Sequence, residues 1–310
     1  MTARSTITLL LSLFVFLTGC QKTKNQATSD KLHVVCSFLP VYVIAKNIVK
    51  DVPDVELTLL LPPEAGCPHN YALTPPDALS LEKADILILN GLGMEQFLED
   101  TPFTKRPDLH IINATQKITD LIEEDCDHPA HQDHERHLNP HGWVSPAVNV
   151  RMVQWIGSRL GEIDPENGNL YAKNSENYIA KLGTLMDDFK VALADLGEIR
   201  IVTYHNAFAY FARDLNLEIV TVIEPDPGTE PSAREVVELI AQIKAAKPIA
   251  IFSEPQYSNR LVKLLSEETG VPHFELDPAS SGDSDPESFI RVMKENLETL
   301  KEAIEIASSH

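Results

Sequence analysis

The stretch "LYAKNSENYIAKLGTLMDDFKVALADLG", residues 170–197, decides the fold that this sequence predicts. Apolar side chains recur along it at steps of three and four residues: Tyr178, Leu182, Leu185, Phe189, Leu193 and Leu196. This spacing is typical of one long amphipathic helix with a single buried face. Gly197 is expected to cap its C-terminus. Because segments of a different pattern lie on both sides, we predict that this helix joins two separately built lobes.

The flanking segments are short apolar runs that alternate with amphipathic ones. The predicted strands before the helix are "LHVVCSF", "VELTLLL", "DILILN" and "LHIINA", and those after it are "IRIVTYH", "LEIVTVI", "IAIFSE" and "VPHFELD". Nearly continuous apolar strands separated by helices indicate parallel sheets covered on both faces. The predicted fold class is therefore α/β, with two lobes, each a four-stranded parallel sheet flanked by helices, bridged by one long rigid α-helix. The predicted boundaries are 32–165 for the first lobe, 166–197 for the linker helix and 198–310 for the second lobe.

The N-terminus has the pattern of an export signal. Arg4 precedes the apolar run "ITLLLSLFVFL", which is too short for a stable membrane span. The following "LTGC" looks like a bacterial lipobox, which implies cleavage before Cys20 and lipidation of its sulfur. We therefore predict a lipoprotein signal peptide over 1–19 and a flexible tether over 20–31, with the protein exported and lipid-anchored to the cell envelope. An ordinary secretory signal that contains a cysteine is the alternative.

The overall charge restricts the partners. The 310 residues carry a formal net charge of -20, with 46 acidic and 26 basic side chains. Nucleic-acid recognition needs a basic face, and none is visible, so we expect no nucleic-acid partner. With 43% hydrophobic residues, the chain is long enough to build one large core or two modest ones.

Four candidate metal ligands follow predicted strands. In open α/β sheets, ligands bind beyond the carboxyl ends of the strands. His69 follows the second strand and His141 the fourth, whereas His205 ends the fifth and Asp277 the eighth. Two come from each lobe, so together they predict a His₃Asp site in the cleft. Each also has a plain alternative, since a histidine near a strand end is often a hydrogen-bonded structural residue and an Asp before Pro can start a turn.

The other histidines outside the loop described below are less suitable. His33 and His110 begin strands, at the wrong edge of the sheet, and His310 is terminal. His273 lies too far back on its strand and is interpreted as structural.

Several motifs resemble one known family. "PHNYALTPPD", "NPHGWVSP", "YHNAFAYFA", "EPSAREVVELI", "FSEPQ" and "LDP" occur in the order seen in zinc- and manganese-specific substrate-binding lipoproteins of ABC importers. The resemblance extends from about Leu32 to the end. It implies metal held between two lobes by His69, His141, His205 and Asp277, and an ABC permease with its ATPase as partners. Two departures are visible: Asn139 stands where relatives usually have Asp, and Cys67 precedes His69 closely.

The donor set favours Zn²⁺ as the transported ligand. Three imidazoles and one carboxylate suit tetrahedral zinc, whereas manganese prefers more oxygen donors. In the resembling family, manganese proteins tend to have Glu where this chain has His205. The alternatives are a manganese importer component and an exported zinc metallohydrolase, for which Glu254 in "FSEPQ" would be the general base. Four protein ligands leave little room for a catalytic water, and no HExxH motif appears, so we expect no enzyme. A surface adhesin is a third class, without a feature that favours it.

The loop 115–140 contains a histidine-rich run. His128, His131, His134 and His137 recur at intervals of three among acidic residues. Relatives often have a longer histidine-rich loop here, which suggests a weak second metal site, and a solvated polar loop is the alternative. Three cysteines remain besides Cys20, so at most one internal disulfide can form. A Cys67–Cys126 bridge and two free thiols both remain open, with Cys36 expected to be unpaired. We expect the protein to be a monomer.

Overall fold

The strands and helices form where the apolar patterns place them. The computed structural model describes residues 31–68, 71–124, 137–194, 196–224 and 231–309, and Lys31–His310 make up one compact unit. The strands are β1 (Leu32–Cys36), β2 (Val55–Leu59), β3 (Ile86–Leu89), β4 (His110–Asn113), β5 (Glu123–Glu124), β6 (His137–Leu138), β7 (Ile199–Thr203), β8 (Leu217–Val222), β9 (Ala250–Ser253) and β10 (His273–Glu275). The helices are α1 (Leu39–Ile48), α2 (Pro75–Lys83), α3 (Pro146–Ile163), α4 (Gly168–Leu193), α5 (Ala209–Leu215), α6 (Ala233–Ala246), α7 (Arg260–Thr269) and α8 (Ser288–Ser308).

The two larger sheets share one topology. Their strand orders are β2-β1-β3-β4 and β10-β9-β7-β8, and all neighbours are parallel. Counted within its own half, each sheet has the order 2-1-3-4. The predicted fold class of two four-stranded parallel sheets with a long helix between them is therefore confirmed. We call residues 31–163 the N-terminal half and residues 199–309 the C-terminal half.

The long helix α4 lies within the predicted range 166–197. Its predicted apolar stripe is buried at Tyr178, Leu182, Leu185 and Phe189. The helix ends at Leu193, so Leu196 lies beyond it and is 36% exposed. The expectation that Gly197 caps this helix is wrong, because the helical hydrogen bonds stop a full turn earlier.

Helix α3 was not predicted, and it packs along α4. Ser145 caps its N-terminus by accepting hydrogen bonds from the backbone N–H groups of Ala147 and Val148. Gly157 of α3 lies directly against Ser175 of α4, where a Cβ atom would stand only 3.3 Å from the Ser175 Cβ. The glycine therefore permits the close approach of the two helices, and the connection between the halves is a helix pair.

A short antiparallel ribbon was also missed. It pairs Glu123 of β5 with Leu138 of β6, and Glu124 with His137. In the sequence, β5 and β6 stand at the two ends of the histidine-rich segment. Among the described helices, none is both long and apolar enough to cross a membrane.

Candidate metal centre

The sheet topology marks one crevice in each half. In the order 2-1-3-4, the second strand lies on one side of the first strand, and the third strand lies on its other side. Right-handed crossovers then place helices on opposite faces, which opens a crevice between the first and third strands. The crevices lie beyond the carboxyl ends of β1 and β3 in the N-terminal half, and of β7 and β9 in the C-terminal half.

A buried carboxylate organises the crevice of the N-terminal half. Glu95 accepts hydrogen bonds from the Ser37 hydroxyl (2.7 Å), the Asn90 N–H (2.7 Å) and the Gly91 N–H (3.0 Å). Burial raises the pKa of Glu95, and these donors oppose the rise. The Asn90 side chain in turn donates to the Pro140 carbonyl at 2.8 Å. The end of β3 therefore anchors the loop that carries the next residue, His141.

His141 is fixed in this crevice by its own loop. Its side chain is 2% exposed. The Asn139 Oδ1 accepts the backbone N–H of His141 at 2.8 Å and lies 3.1 Å from the ring Nδ1. Because this oxygen is an acceptor, the favourable tautomer has the proton on Nδ1 and leaves the lone pair of Nε2 for a metal.

His205 meets His141 from the other half. It lies two residues after the end of β7 and is also 2% exposed. The two imidazole rings stand nearly perpendicular, with centroids 4.6 Å apart. Two of the four predicted ligands, one from each half, are therefore side by side in a buried position. Zinc commonly takes imidazole ligands in such an arrangement.

A second buried carboxylate faces His205. Glu254 follows β9, is 1% exposed, and its Oε1 lies 3.8 Å from the His205 Nδ1. Its Oε2 accepts a hydrogen bond from the Gln256 Nε2 at 2.7 Å. Among the described residues, Oε1 has no hydrogen-bond partner. A buried carboxylate oxygen without a donor is costly, so a cation between the halves would lower the energy of this arrangement.

Asp277 lies at the end of the C-terminal sheet, beyond β10. Its backbone N–H and C=O both bond to the Asn296 side chain, at 2.9 and 2.8 Å, and its Oδ1 accepts the Ala279 N–H at 2.7 Å. Burial raises the pKa of Asp277, against the lowering by the Ala279 N–H, and the charges of Glu275 and Glu254 raise it further.

The Asp277 loop is tied to the N-terminal half beside His141. The Trp143 Nε1 donates to the Pro278 carbonyl at 2.9 Å. The Trp143 ring lies 5.1 Å from the His141 ring, measured between centroids. Pro278, which follows Asp277, thus accepts a hydrogen bond from Trp143, and Trp143 packs on the candidate ligand His141.

The described residues do not complete a metal site by themselves. No group of three or more His, Cys, Asp or Glu side chains among them is arranged to hold a metal ion. His69 lies outside the described residues, and so do His128, His131, His134 and Cys126. For His137, the structure describes only the backbone, which pairs in β6. The full ligand set therefore stays a prediction.

Two cysteines, Cys36 and Cys67, lie in the part of the chain that the structure describes. Cys36 and Cys67 form no disulfide within the described part of the chain. Burial raises the pKa of the Cys36 thiol. It also raises that of Cys67 to about 12, the charge of Glu254 acts in the same direction, and Ser280 opposes it by a hydrogen bond. Because Cys126 lies outside the described residues, the Cys67–Cys126 bridge stays a prediction.

Three residues around the site were not found from the sequence. Tyr257 packs its ring 5.9 Å from that of His205, and its pKa is raised, mainly by burial. Glu224 is buried just after β8 and bonds through its N–H to the Tyr204 carbonyl at 2.7 Å. Tyr210 of α5 donates to the Asn139 carbonyl at 2.9 Å. The position of Glu224, two residues after the end of β8, is the same signal that identified the histidines, whereas the two tyrosines had no such signal.

The family of the chain follows from a comparison with known families. The model described as "Zinc-uptake complex component A periplasmic" (ZnuA) matches residues 34–303. This chain belongs to the zinc-uptake component A family. The resemblance drawn from the sequence motifs is thereby confirmed.

Proteins similar to this chain have a similar length or a greater one. The high-affinity zinc uptake system protein ZnuA of Bacillus subtilis is 30% identical over 312 residues, which cover 96% of this chain and 95% of the relative. The substrate-binding protein FpvC from Pseudomonas aeruginosa, solved with Mn²⁺, superposes with a TM-score of 0.79 at 28% identity, covering 89% of this chain and 99% of FpvC. Zn(II)-bound AdcA from Streptococcus pneumoniae gives 0.72 at 28% identity, covering 88% of this chain and 57% of AdcA. The chain therefore spans little more than half of AdcA.

Proposed function

We propose that this protein captures Zn²⁺ between its two halves and delivers it to an ABC permease and its ATPase for import. The observation that carries the proposal is the edge contact between His141 and His205, buried and contributed by opposite halves. A metal bound there would link the halves, so its capture and release would depend on their separation. Membership of the zinc-uptake component A family supports the same function.

The proposed ligands are His69, His141, His205 and Asp277. Three imidazole nitrogens and one carboxylate oxygen form a tetrahedral set that suits zinc. The hydrogen bond between Asn139 and the Nδ1 of His141 supports coordination through Nε2. Glu254 is the reserve carboxylate, because its Oε1, which has no hydrogen-bond partner among the described residues, already lies within 4 Å of the His205 ring.

Manganese is the second candidate cargo. The similarity to FpvC, which was solved with Mn²⁺, favours this test. The donors of this chain argue against manganese, because nitrogen donors outnumber carboxylates in the proposed set and Mn²⁺ prefers oxygen ligands. Protein purified without added metal should contain about one equivalent of zinc per chain by elemental analysis. Excess Mn²⁺ should leave this zinc bound, and its displacement by equimolar Mn²⁺ would reverse the assignment.

The proposed role is transport without catalysis. An exported zinc hydrolase would need an open coordination position and a general base, for which Glu254 is the candidate. In the structure, the Oε2 of Glu254 accepts a hydrogen bond from Gln256. Glu254 also lies beside the His205 ring, which favours a supporting role for Glu254. Esterase and peptidase activity that rises in proportion to bound zinc, and that is lost in Glu254→Gln, would refute the transport proposal.

The proposed location is the outer side of a cell membrane, through a lipid on Cys20. The predicted signal 1–19 and tether 20–31 support this location, and the family description names a periplasmic protein. Radiolabelled palmitate should label the expressed wild type, and Cys20→Ala should abolish the label. A deletion strain should grow poorly only when zinc is scarce. Wild-type protein, but not His205→Ala, should restore its growth. We also propose that the protein acts as a monomer, which light scattering with and without zinc would test.

The thiol arrangement is a further proposal. A Cys67–Cys126 bridge would fasten the start of the histidine-rich segment near the loop of His69. Peptide mapping under non-reducing conditions should find these two residues in one linked fragment and Cys36 alkylated. A linked fragment that contains Cys36 would contradict the pairing.

A further inference from the structure

Asn139 connects the loops of the two buried histidines. Its Oδ1 accepts the backbone N–H of His141 at 2.8 Å and lies 3.1 Å from the Nδ1 of the same residue. Its Nδ2 donates at 2.8 Å to the carbonyl of Asn206, the residue that follows His205. The side chain is completely buried. One amide therefore touches both candidate ligand loops, one in each half.

The orientation of this amide is determined by its partners. A backbone N–H can only donate and a backbone carbonyl can only accept, so Oδ1 must face His141 and Nδ2 must face Asn206. The opposite orientation would set two donors against each other at one end and two acceptors at the other. A carboxylate at this position could replace Oδ1 but not Nδ2.

The backbone of Asn139 makes a second link to the C-terminal half. Its carbonyl accepts the Tyr210 hydroxyl proton at 2.9 Å, and the same hydroxyl oxygen accepts the Ile122 N–H at 3.1 Å. The backbone of residue 139 is thereby held in place independently of its side chain. A substitution that changes only the amide should leave the loop close to its present position.

We propose that Asn139 is a positioning residue of the metal site, with two separable tasks. Its carbonyl oxygen selects the Nδ1–H tautomer of His141, so that Nε2 faces the metal. Its NH₂ group holds the loop of His205 against that of His141, which slows the separation of the halves and the release of metal. This inference deepens the proposed function, on which it rests. Because the second task needs a donor, an Asp in this position cannot perform it in this chain.

The test uses three variants of the full-length mature protein. Asn139→Asp keeps the acceptor and removes the donor, whereas Asn139→Ala removes both. Asn47→Asp is the matched control: the Asn47 amide also donates from the N-terminal half to a carbonyl of the C-terminal half, Pro286 at 2.8 Å, but it lies on α1, away from the ligand loops. Circular dichroism first establishes that each variant is folded.

Zinc release is measured by stopped flow against an excess of a chelating dye. Asn139→Asp should release zinc on the order of tenfold faster than wild type, because a hydrogen bond across the halves is replaced by a contact between two oxygens. Asn139→Ala should lose on the order of 10- to 100-fold in zinc affinity, as is usual when the partner of a ligating histidine is removed. Asn47→Asp should release zinc at the wild-type rate.

The tautomer is measured in metal-free protein by long-range ¹H–¹⁵N correlation of the imidazole rings, with the His141 signal assigned by its loss in His141→Gln. Wild type and Asn139→Asp should show the Nδ1–H form, and Asn139→Ala a mixture. An unchanged tautomer in Asn139→Ala would overturn the first task. A wild-type release rate in Asn139→Asp, or equal acceleration in Asn47→Asp, would overturn the second. If wild type binds no zinc, the proposed function fails, while the tautomer result still decides the first task.

Discussion

Replacing His205 by alanine should remove most of the stabilisation that zinc gives to this protein. The buried His205 ring has two neighbours. The centroid of the His141 ring is 4.6 Å from that of His205. The Oε1 of Glu254 is 3.8 Å from the Nδ1 of His205. The substitution deletes one proposed ligand. It also leaves the Glu254 carboxylate next to an apolar methyl group, so the site loses a neighbour for its buried charge.

The size of the effect follows from the ligand count. Four-ligand zinc sites bind with about 10–16 kcal/mol, or roughly 2.5–4 kcal/mol per ligand if shared equally. Losing one ligand should therefore weaken binding by about 10²- to 10³-fold. With free zinc at about 1,000 times the wild-type Kd, zinc stabilises the wild type by about 4.1 kcal/mol. The same zinc concentration should stabilise His205→Ala by only about 0.4–1.4 kcal/mol.

The assay is thermal or urea unfolding with and without zinc buffered at that concentration. His110→Ala and His273→Ala are the matched controls. Each removes an exposed histidine from the first residue of a strand, β4 and β10, at the sheet edge opposite the proposed site. Both should keep the full zinc effect. A zinc effect in His205→Ala as large as that of the wild type would refute the assignment of this ligand.

Three further predictions follow from the structure. Asp277→Asn should stabilise the metal-free protein and weaken its zinc binding. Burial raises the pKa of Asp277 in the folded protein above its value in the unfolded chain. Ionisation of Asp277 therefore lowers the stability of the metal-free fold as the pH rises from the unfolded-state pKa through the folded-state pKa. The variant should therefore unfold at higher urea than wild type at neutral pH without zinc, yet bind zinc more weakly by calorimetry; unchanged zinc affinity would remove Asp277 from the ligand set. Deletion of residues 127–136 should leave the strong site intact and abolish any weaker second equivalent in a calorimetric titration, and identical titrations would mean that these histidines are only a polar surface. Gly157→Ala should lower the free energy of unfolding, measured in urea, by about 1–3 kcal/mol, because the added methyl group overlaps Ser175 of α4. Adding Ser175→Ala should restore part of this loss. A Gly157→Ala protein as stable as wild type would show that α3 and α4 can move apart freely.

Local pattern accounts for most of what the sequence could predict. The eight strands of the two parallel sheets were expected from apolar runs of suitable length, because a strand covered on both faces must be apolar on both. The stripe from Tyr178 to Phe189 predicted α4 and its buried face. Helix α3 was missed although Val148, Met152, Ile156 and Leu160 recur at helical spacing behind the cap of Ser145, so the signal was present in the sequence.

The rule that ligands follow strands selected His69, His141, His205 and Asp277 as candidates from the sequence alone, without any knowledge of contacts. A parallel sheet brings the carboxyl ends of its strands to one edge, so residues directly after strands converge whatever their distance in sequence. The sequence was therefore sufficient to propose candidate donors at this edge, which stay a prediction, and to predict a family that the comparison confirmed.

Only the tertiary structure decided how these donors are supported. The Asn139 amide that spans both ligand loops and the Tyr210 hydroxyl under residue 139 join segments from different halves. The buried Glu254 oxygen beside His205 joins the ends of two neighbouring strands of the C-terminal sheet. Hydrogen bonds between segments 67–88 residues apart leave no periodicity in either segment. The sequence determines which elements form because that depends on neighbouring residues, whereas the support of the site depends on the packing of two halves against each other, which no local pattern encodes.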